Sequence, residues 1–208
     1  MGMTPGAVIR SFASPVNVPV GLAWDGRTLW NCDRASNIIY QIDPRTGKVI
    51  RSFAAPGAQS TGLTWGGRTL WHCDTTTLLI YQIDPRTGKV IRSFAAPVNL
   101  PYGLTWDGRT LWHCDRTSNI IYQINPRTGK VIRSFAAPAG NSTGLAWDGR
   151  TLWVLDRTNA IIYQIHPVTG LVIRSFAAPA GVPFGLAWDG RTLWTTEQGG
   201  TLIAQIAV

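Results

Sequence analysis

The string Val-Ile-Arg-Ser-Phe begins at Val8, Val49, Val90, Val131 and Val172, a constant step of 41 residues. Paired tryptophans obey the same step, at Trp24/Trp30, Trp65/Trp71, Trp106/Trp112, Trp147/Trp153 and Trp188/Trp194. Such self-similarity constrains the fold more than any local motif, because each copy must be one structural unit that hides its apolar surface against its neighbours. Five copies account for all but three of the 208 residues, so a single domain spanning 1–208 is expected, with no linker.

Each copy reads as four short strands. In the first, VGLAW (20–24) leads through Asp25-Gly26 into RTLWNCD (27–33), and Asp-Gly between apolar alternations is a strong hairpin signal. A turn then leads to NIIYQID (37–43), PRTG (44–47) turns the chain again, and KVIRSF (48–53) is the last strand. A two-residue turn at Asp25-Gly26 would set Gly21 opposite Trp30 and leave room for the indole. No window offers a capped helical stripe. The expectation is an all-β chain, a closed five-bladed β-propeller with four antiparallel strands per blade. The ends sharpen this: one spare strand (6–12) precedes the first Gly-Leu-Ala-Trp, and only three strands fill the last copy (182–208). The N-terminal strand should complete the last blade, closing the ring as a monomer and hiding its open edges.

The charge balance, 19 basic against 11 acidic residues for a net +8, would ordinarily raise the question of an anionic partner. Here the basic residues recur at repeated positions with no run and no nucleic-acid motif, so nucleic acid is not the expected partner. No stretch has the roughly 20 apolar residues of a membrane span and the start lacks a signal-peptide pattern, so a soluble, cytoplasmic chain is expected. Cys32, Cys73 and Cys114 occupy one repeated position, which argues for reduced, partly buried thiols rather than a disulfide framework.

GLAWDGRTLW, IIYQIDPRTGKVI and the long period resemble the broad superfamily of NHL, YVTN-type and related β-propellers over the whole chain. That superfamily includes hydrolases, lyases and binding modules, so the resemblance implies a fold and leaves the function open. GLTWGG (62–67), GLTWDG (103–108) and IDPRTGKV (83–90) resemble the glutamine cyclotransferases, which also form five-bladed propellers. Their catalytic pattern has Phe-Thr-Gln before the Gly-Leu. This chain has Gln59-Ser60-Thr61 and Leu100-Pro101-Tyr102 there, so the catalytic residues do not carry over. The near-identity of the copies also resembles recently amplified or consensus-designed propellers.

The copies differ in two places: the links between blades (16–20, 57–61, 98–102, 139–143, 180–184) and the end of the second strand with its turn (31–37 and equivalents). Strand direction brings both to one face of the ring, while the DGR and DPRTGK turns line the other, as alternating charges suited to a solvated surface. Function on a regular scaffold usually resides in such variable loops. Three readings compete there. A non-catalytic binding module would take an unidentified small molecule, glycan or peptide through Tyr102, Phe184, Arg34, Arg116 and Arg157. An enzyme of lyase, hydrolase or cyclotransferase kind would use His72 or His113 as general base near Asp74 or Asp115, with aromatic walls from Tyr102 and Phe184. A multivalent receptor would have one weak site between each pair of blades.

One carboxylate per blade, Asp33, Asp74, Asp115, Asp156 and Glu197, could ring the channel mouth and hold a Ca²⁺ ion, the only cofactor the sequence suggests. The competing reading is that each accepts N–H groups of its own turn. The two WHCD strings (71–74, 112–115) look like metal motifs, but alternation along a strand sends Trp and Cys one way and His and Asp the other. Trp71 and Cys73 are read as blade packing. His72 and His113 are read as facing the variable side, toward ligand or water.

Overall fold

The computed structural model describes residues 3–179, 181–199 and 201–208. Among these lie twenty strands and no helix, so no helix is long and apolar enough to cross a membrane. The first blade is β2 (Pro19–Trp24), β3 (Leu29–Asp33), β4 (Ile38–Ile42) and β5 (Val49–Ala54), paired in that order as an antiparallel sheet. Three more blades follow one period apart, opening with β6 (Ser60–Trp65), β10 (Pro101–Trp106) and β14 (Ser142–Trp147). The last is β18 (Pro183–Trp188), β19 (Leu193–Glu197) and β20 (Leu202–Ile206), completed by the N-terminal β1 (Val8–Ala13) through an antiparallel ladder from Val8↔Ile206 to Ala13↔Leu202. The fold is thus the closed five-bladed propeller that the repeat predicts. The opening strands β2, β6, β10, β14 and β18 pack side by side in a ring around the channel, with β18 against β2.

The first hairpin departs from the expected register. Trp24 pairs with Leu29 and Ala23 with Trp30, so the turn spans four residues and Gly21 does not face the indole. Asp25 is the reason. Its carboxylate accepts the N–H groups of Arg27 and Thr28, the Thr28 hydroxyl and, at 2.8 Å, the Trp30 indole N–H. Burial pushes its pKa up, but the bonds from Thr28, Trp30 and Arg27 outweigh this and hold it below the usual carboxylate range. Asp107, Asp148 and Asp189 repeat the arrangement, and Gly66 interrupts it in the second blade.

Gly21 serves a different need. A Cβ there would sit 2.6 Å from the Leu63 backbone nitrogen of the next blade, one at Gly62 would sit 1.9 Å from the Tyr102 carbonyl oxygen, and one at Gly185 would sit 2.2 Å from the Val20 carbonyl oxygen. The bare backbone lets neighbouring inner strands approach around the channel.

The tryptophans hold the blades together as expected. Trp30, Trp71, Trp112, Trp153 and Trp194 are fully buried, and Trp30 stacks on Trp65 of the next blade with centroids 6.4 Å apart. The Arg of each VIRSF string covers the outer side: Arg51 lies 5.3 Å above the Trp30 ring and its Nε donates to Gln41 at 2.7 Å. Arg10, Arg92, Arg133 and Arg174 repeat this, so five of the basic residues are structural and do not mark an anionic partner.

Candidate functional site

Arg34, Arg116 and Arg157 each open the turn after the second strand of a blade, a place held by Thr75 and Gln198 in the other two blades. The acidic residue just before sets the turn. Asp33 accepts the N–H groups of Val18, Ala35 and Ser36 and the Ser36 hydroxyl. Asp74 accepts the N–H groups of Gln59, Thr76 and Thr77, tying the inter-blade link to the turn. Asp115 accepts from Thr117 N–H and the Ser118 hydroxyl, Asp156 from Thr158 N–H and Asn159, and Glu197 from the N–H groups of Val182 and Gly199. All five carboxylates are buried in these turns, and no three metal-ligating side chains come together among the described residues. The geometry is that of turn caps and does not present an open ring of oxygens to an ion.

With the turns fixed, the arginines converge on the mouth of the channel. Arg34 and Arg116, from the first and third blades, both donate from Nη1 to the Tyr102 hydroxyl, at 3.3 and 3.1 Å. Arg34 also donates from Nε and Nη2 to Gln59 Oε1, and Arg116 from Nε to Asn141 Oδ1. Their guanidinium carbons lie 6.0 and 5.3 Å from the centre of the Tyr102 ring, and that of Arg157 lies 5.4 Å from the centre of Phe184. The two rings, from the third and fifth blades, meet with centroids 5.6 Å apart. Tyr102 and Phe184 are 2% and 1% exposed, so they do not wall an open pocket as the sequence reading has it. They plug the channel and carry the guanidinium groups over them.

Among the described residues no carboxylate lies within ion-pairing distance of these three arginines; the ion pair that is formed, Arg45 with Asp43 at 3.9 Å, sits in a turn of the opposite face. Arg157 Nε is buried with no hydrogen-bond acceptor. Burial lowers the pKa of Arg157 and the like charge of Arg116 lowers it further; Tyr102 opposes this, and Arg34 adds the smallest push downward. Gln59 and Asn141, which aim two of the arginines, escape the sequence reading. The signal for them is present, since each lies in one of the variable inter-blade links.

The histidines require a correction. His72 lies on β7 (Leu70–Asp74) and His113 on β11 (Leu111–Asp115), and both are fully buried between blades, so neither meets ligand or water. The physical reason is that a propeller blade buries both faces of its sheet, so a variable strand position need not be an exposed one. Nδ1 of His72 lies 3.0 Å from the Gly62 carbonyl and Nδ1 of His113 lies 3.1 Å from that of Gly103, which requires the Nδ1–H tautomer. Nε2 makes no hydrogen bond in either ring. Burial pushes both pKa values down, to about 4, against the opposing pull of Asp74 and the Gly62 carbonyl on His72 and of the Gly103 carbonyl and Asp115 on His113. Neither can serve as a general base for a ligand at the mouth.

The thiols of Cys32, Cys73 and Cys114 are free and fully buried, and burial pushes Cys73 up to about 12. They are packing groups, more deeply buried than the sequence suggests. On the opposite face, one cleft recurs in equivalent positions: about 590 Å³ lined by Arg109, Asn125, Arg127 and Ile132, and about 520 Å³ lined by Arg27, Asp43, Arg45 and Ile50. The channel ends on that face in a cavity of only about 70 Å³.

No protein-family model and no curated protein matches the sequence. Many solved structures match the fold. The glutaminyl cyclase of Myxococcus xanthus superposes with a TM-score of 0.83 at 14% identity, covering 96% of this chain and 94% of that one. Virginiamycin B lyase from Staphylococcus aureus gives 0.60 at 20% identity, over 92% of this chain and 67% of that one. The β-propeller domain of Myceliophteria thermophila Cps50 gives 0.62 at 13% identity, over 98% of this chain and all of that domain. These likenesses are of fold alone, and the repeat and the strand order define its form: the chain is a five-bladed β-propeller.

Proposed function

We propose that the chain is a non-catalytic binding module that takes one small ligand at the loop-face mouth of its channel. The observation that carries this reading is the convergence of Arg34, Arg116 and Arg157, from three different blades, over the Tyr102–Phe184 plug. Sites of small-molecule recognition combine an apolar base with a few convergent polar groups, and the mouth has both. The enzyme reading loses its base candidates, because the burial of His72 and His113 removes them from any substrate. The binding reading requires neither metal nor cofactor. The multivalent reading draws on the cleft repeated on the opposite face, and it differs in stoichiometry.

The test is calorimetric titration with a panel of monosaccharides, nucleosides, amino acids and their phosphorylated counterparts. Saturation at one ligand per chain, lost in Arg34→Gln/Arg116→Gln, supports the proposal. A stoichiometry near five, or conversion of any panel member into product, overturns it.

A further inference from the structure

We infer that the ligand at this mouth is a doubly charged tetrahedral oxyanion, free phosphate or a phosphate monoester. The inference rests on the binding-module reading above and deepens it.

Three like charges gather with no carboxylate within ion-pairing distance among the described residues, and two are held in place by neutral acceptors. Gln59 takes two donors of Arg34 and Asn141 takes one of Arg116, fixing each guanidinium without neutralising it. Each guanidinium has five N–H donors. The bonds to Gln59, Asn141 and Tyr102 leave at least two unspent on Arg34 and Arg116, and the buried Nε of Arg157 has no acceptor. The Tyr102 hydroxyl accepts from two arginines, which leaves its own proton to donate. Both Nη1 atoms thus lie one hydrogen bond from the same oxygen, and Arg157 lies over the Phe184 ring that packs against Tyr102.

A like-charged cluster of this kind is costly until an anion shares its donors. A single carboxylate offers two oxygens in one plane, which matches one guanidinium fork. Three forks approaching from three blades match a tetrahedral anion, whose oxygens point in several directions and whose second charge answers more of the field. The five acidic side chains of the same face do not compete, because backbone N–H groups of the turns occupy them.

The experiment titrates the full chain at low ionic strength with inorganic phosphate, glucose 6-phosphate, acetate and glucose, by calorimetry and by thermal shift. Phosphate or its ester should saturate one site and raise the melting temperature, with acetate at least tenfold weaker. Arg116→Gln and Arg157→Gln should each weaken phosphate at least tenfold, and Arg34→Gln/Arg116→Gln/Arg157→Gln should abolish it. Without phosphate these variants should melt no lower than the parent, because a charge has left a crowded cluster; a merely structural arginine would show the opposite sign. Tighter binding of the ester than of phosphate identifies the source as a phosphorylated molecule, and equal binding identifies the free anion. Failure of both to saturate, or saturation undiminished in the triple variant, overturns the inference. If glucose binds at the mouth when phosphate does not, the binding-module reading survives without it; if no panel member binds, both fall.

Discussion

Acid should weaken this fold between about pH 6.5 and pH 4, and two side chains should account for the loss. His72 and His113 are fully buried as Nδ1–H tautomers, and Nε2 makes no hydrogen bond in either ring. A proton on Nε2 would place a charge in a dry site, and burial brings each pKa from 6.5 to about 4. The unfolded chain takes up these protons first. Because the folded values are depressed, the stabilisation is complete above the unfolded value and is lost as pH falls toward the folded one. Each histidine then costs about 1.4 kcal/mol per pH unit, which amounts to about 2 kcal/mol at pH 5, or about 4 kcal/mol for the pair. The control is supplied by the first blade, where buried Asn31 holds the same position and donates to the Gly21 carbonyl at 2.8 Å. Asn31 also leaves its second polar atom unpartnered, so His72→Asn/His113→Asn keeps the carbonyl bond and removes the titration; the lost stacking on Tyr81 and Tyr122 lowers the midpoint equally at every pH. Urea unfolding at half-unit steps from pH 8 to 4.5 should give a falling midpoint for the parent and a nearly flat one for the double variant. Parallel curves for the two proteins would refute the reasoning. The depressed carboxylates Asp25, Asp107, Asp148 and Asp189 contribute stability that is lost only lower, as pH falls through the acidic range below about 4, so the two windows separate.

Gly66→Asp should stabilise the chain by about 1–2 kcal/mol, because it restores the carboxylate that caps the hairpin and receives the indole N–H in the other four blades; chemical denaturation reads it, and no gain would mean that Trp71 cannot move aside for the new Cβ. Asp74→Ala should cost about 1–2 kcal/mol by removing the acceptor that ties the inter-blade link to the turn, and the Ca²⁺ response of the melting temperature should not change. Gly62→Ala should destabilise by several kcal/mol, since its Cβ would overlap the Tyr102 carbonyl of the next blade; a soluble variant with parental stability would contradict the close approach of the inner strands. In native protein Cys73 should react with a thiol reagent only at the rate of unfolding, measured by absorbance under increasing urea.

The architecture was legible because the repeat offers the same evidence five times. The predicted strand 20–24 is observed as Pro19–Trp24, and 48–53 as Val49–Ala54. What local pattern could not supply was the length of the Asp25 turn, which depends on a carboxylate reaching an indole five residues on. The role of Gly21 also escaped, because the backbone it makes room for belongs to another blade. At the mouth, comparing copies picked out Arg34, Arg116, Arg157, Tyr102 and Phe184, all of which meet there, but not that the rings would lie beneath the arginines. His72 and His113 misled because variability among blades marks a position free of the common packing rule, and a buried site between blades can be free of it too.

The seam between β1 and β20 also sets how the ring answers force. Val8 lies opposite Ile206 and Ala13 opposite Leu202, so the first and last residues of the ladder leave it at the same end. A pull on the two termini would load this ladder one rung at a time, as a zipper, and not all rungs together in shear. A ring held thermally by buried tryptophans would therefore open mechanically at its thinnest joint, and a chain whose ends were moved to another inter-blade link would lose that weak point.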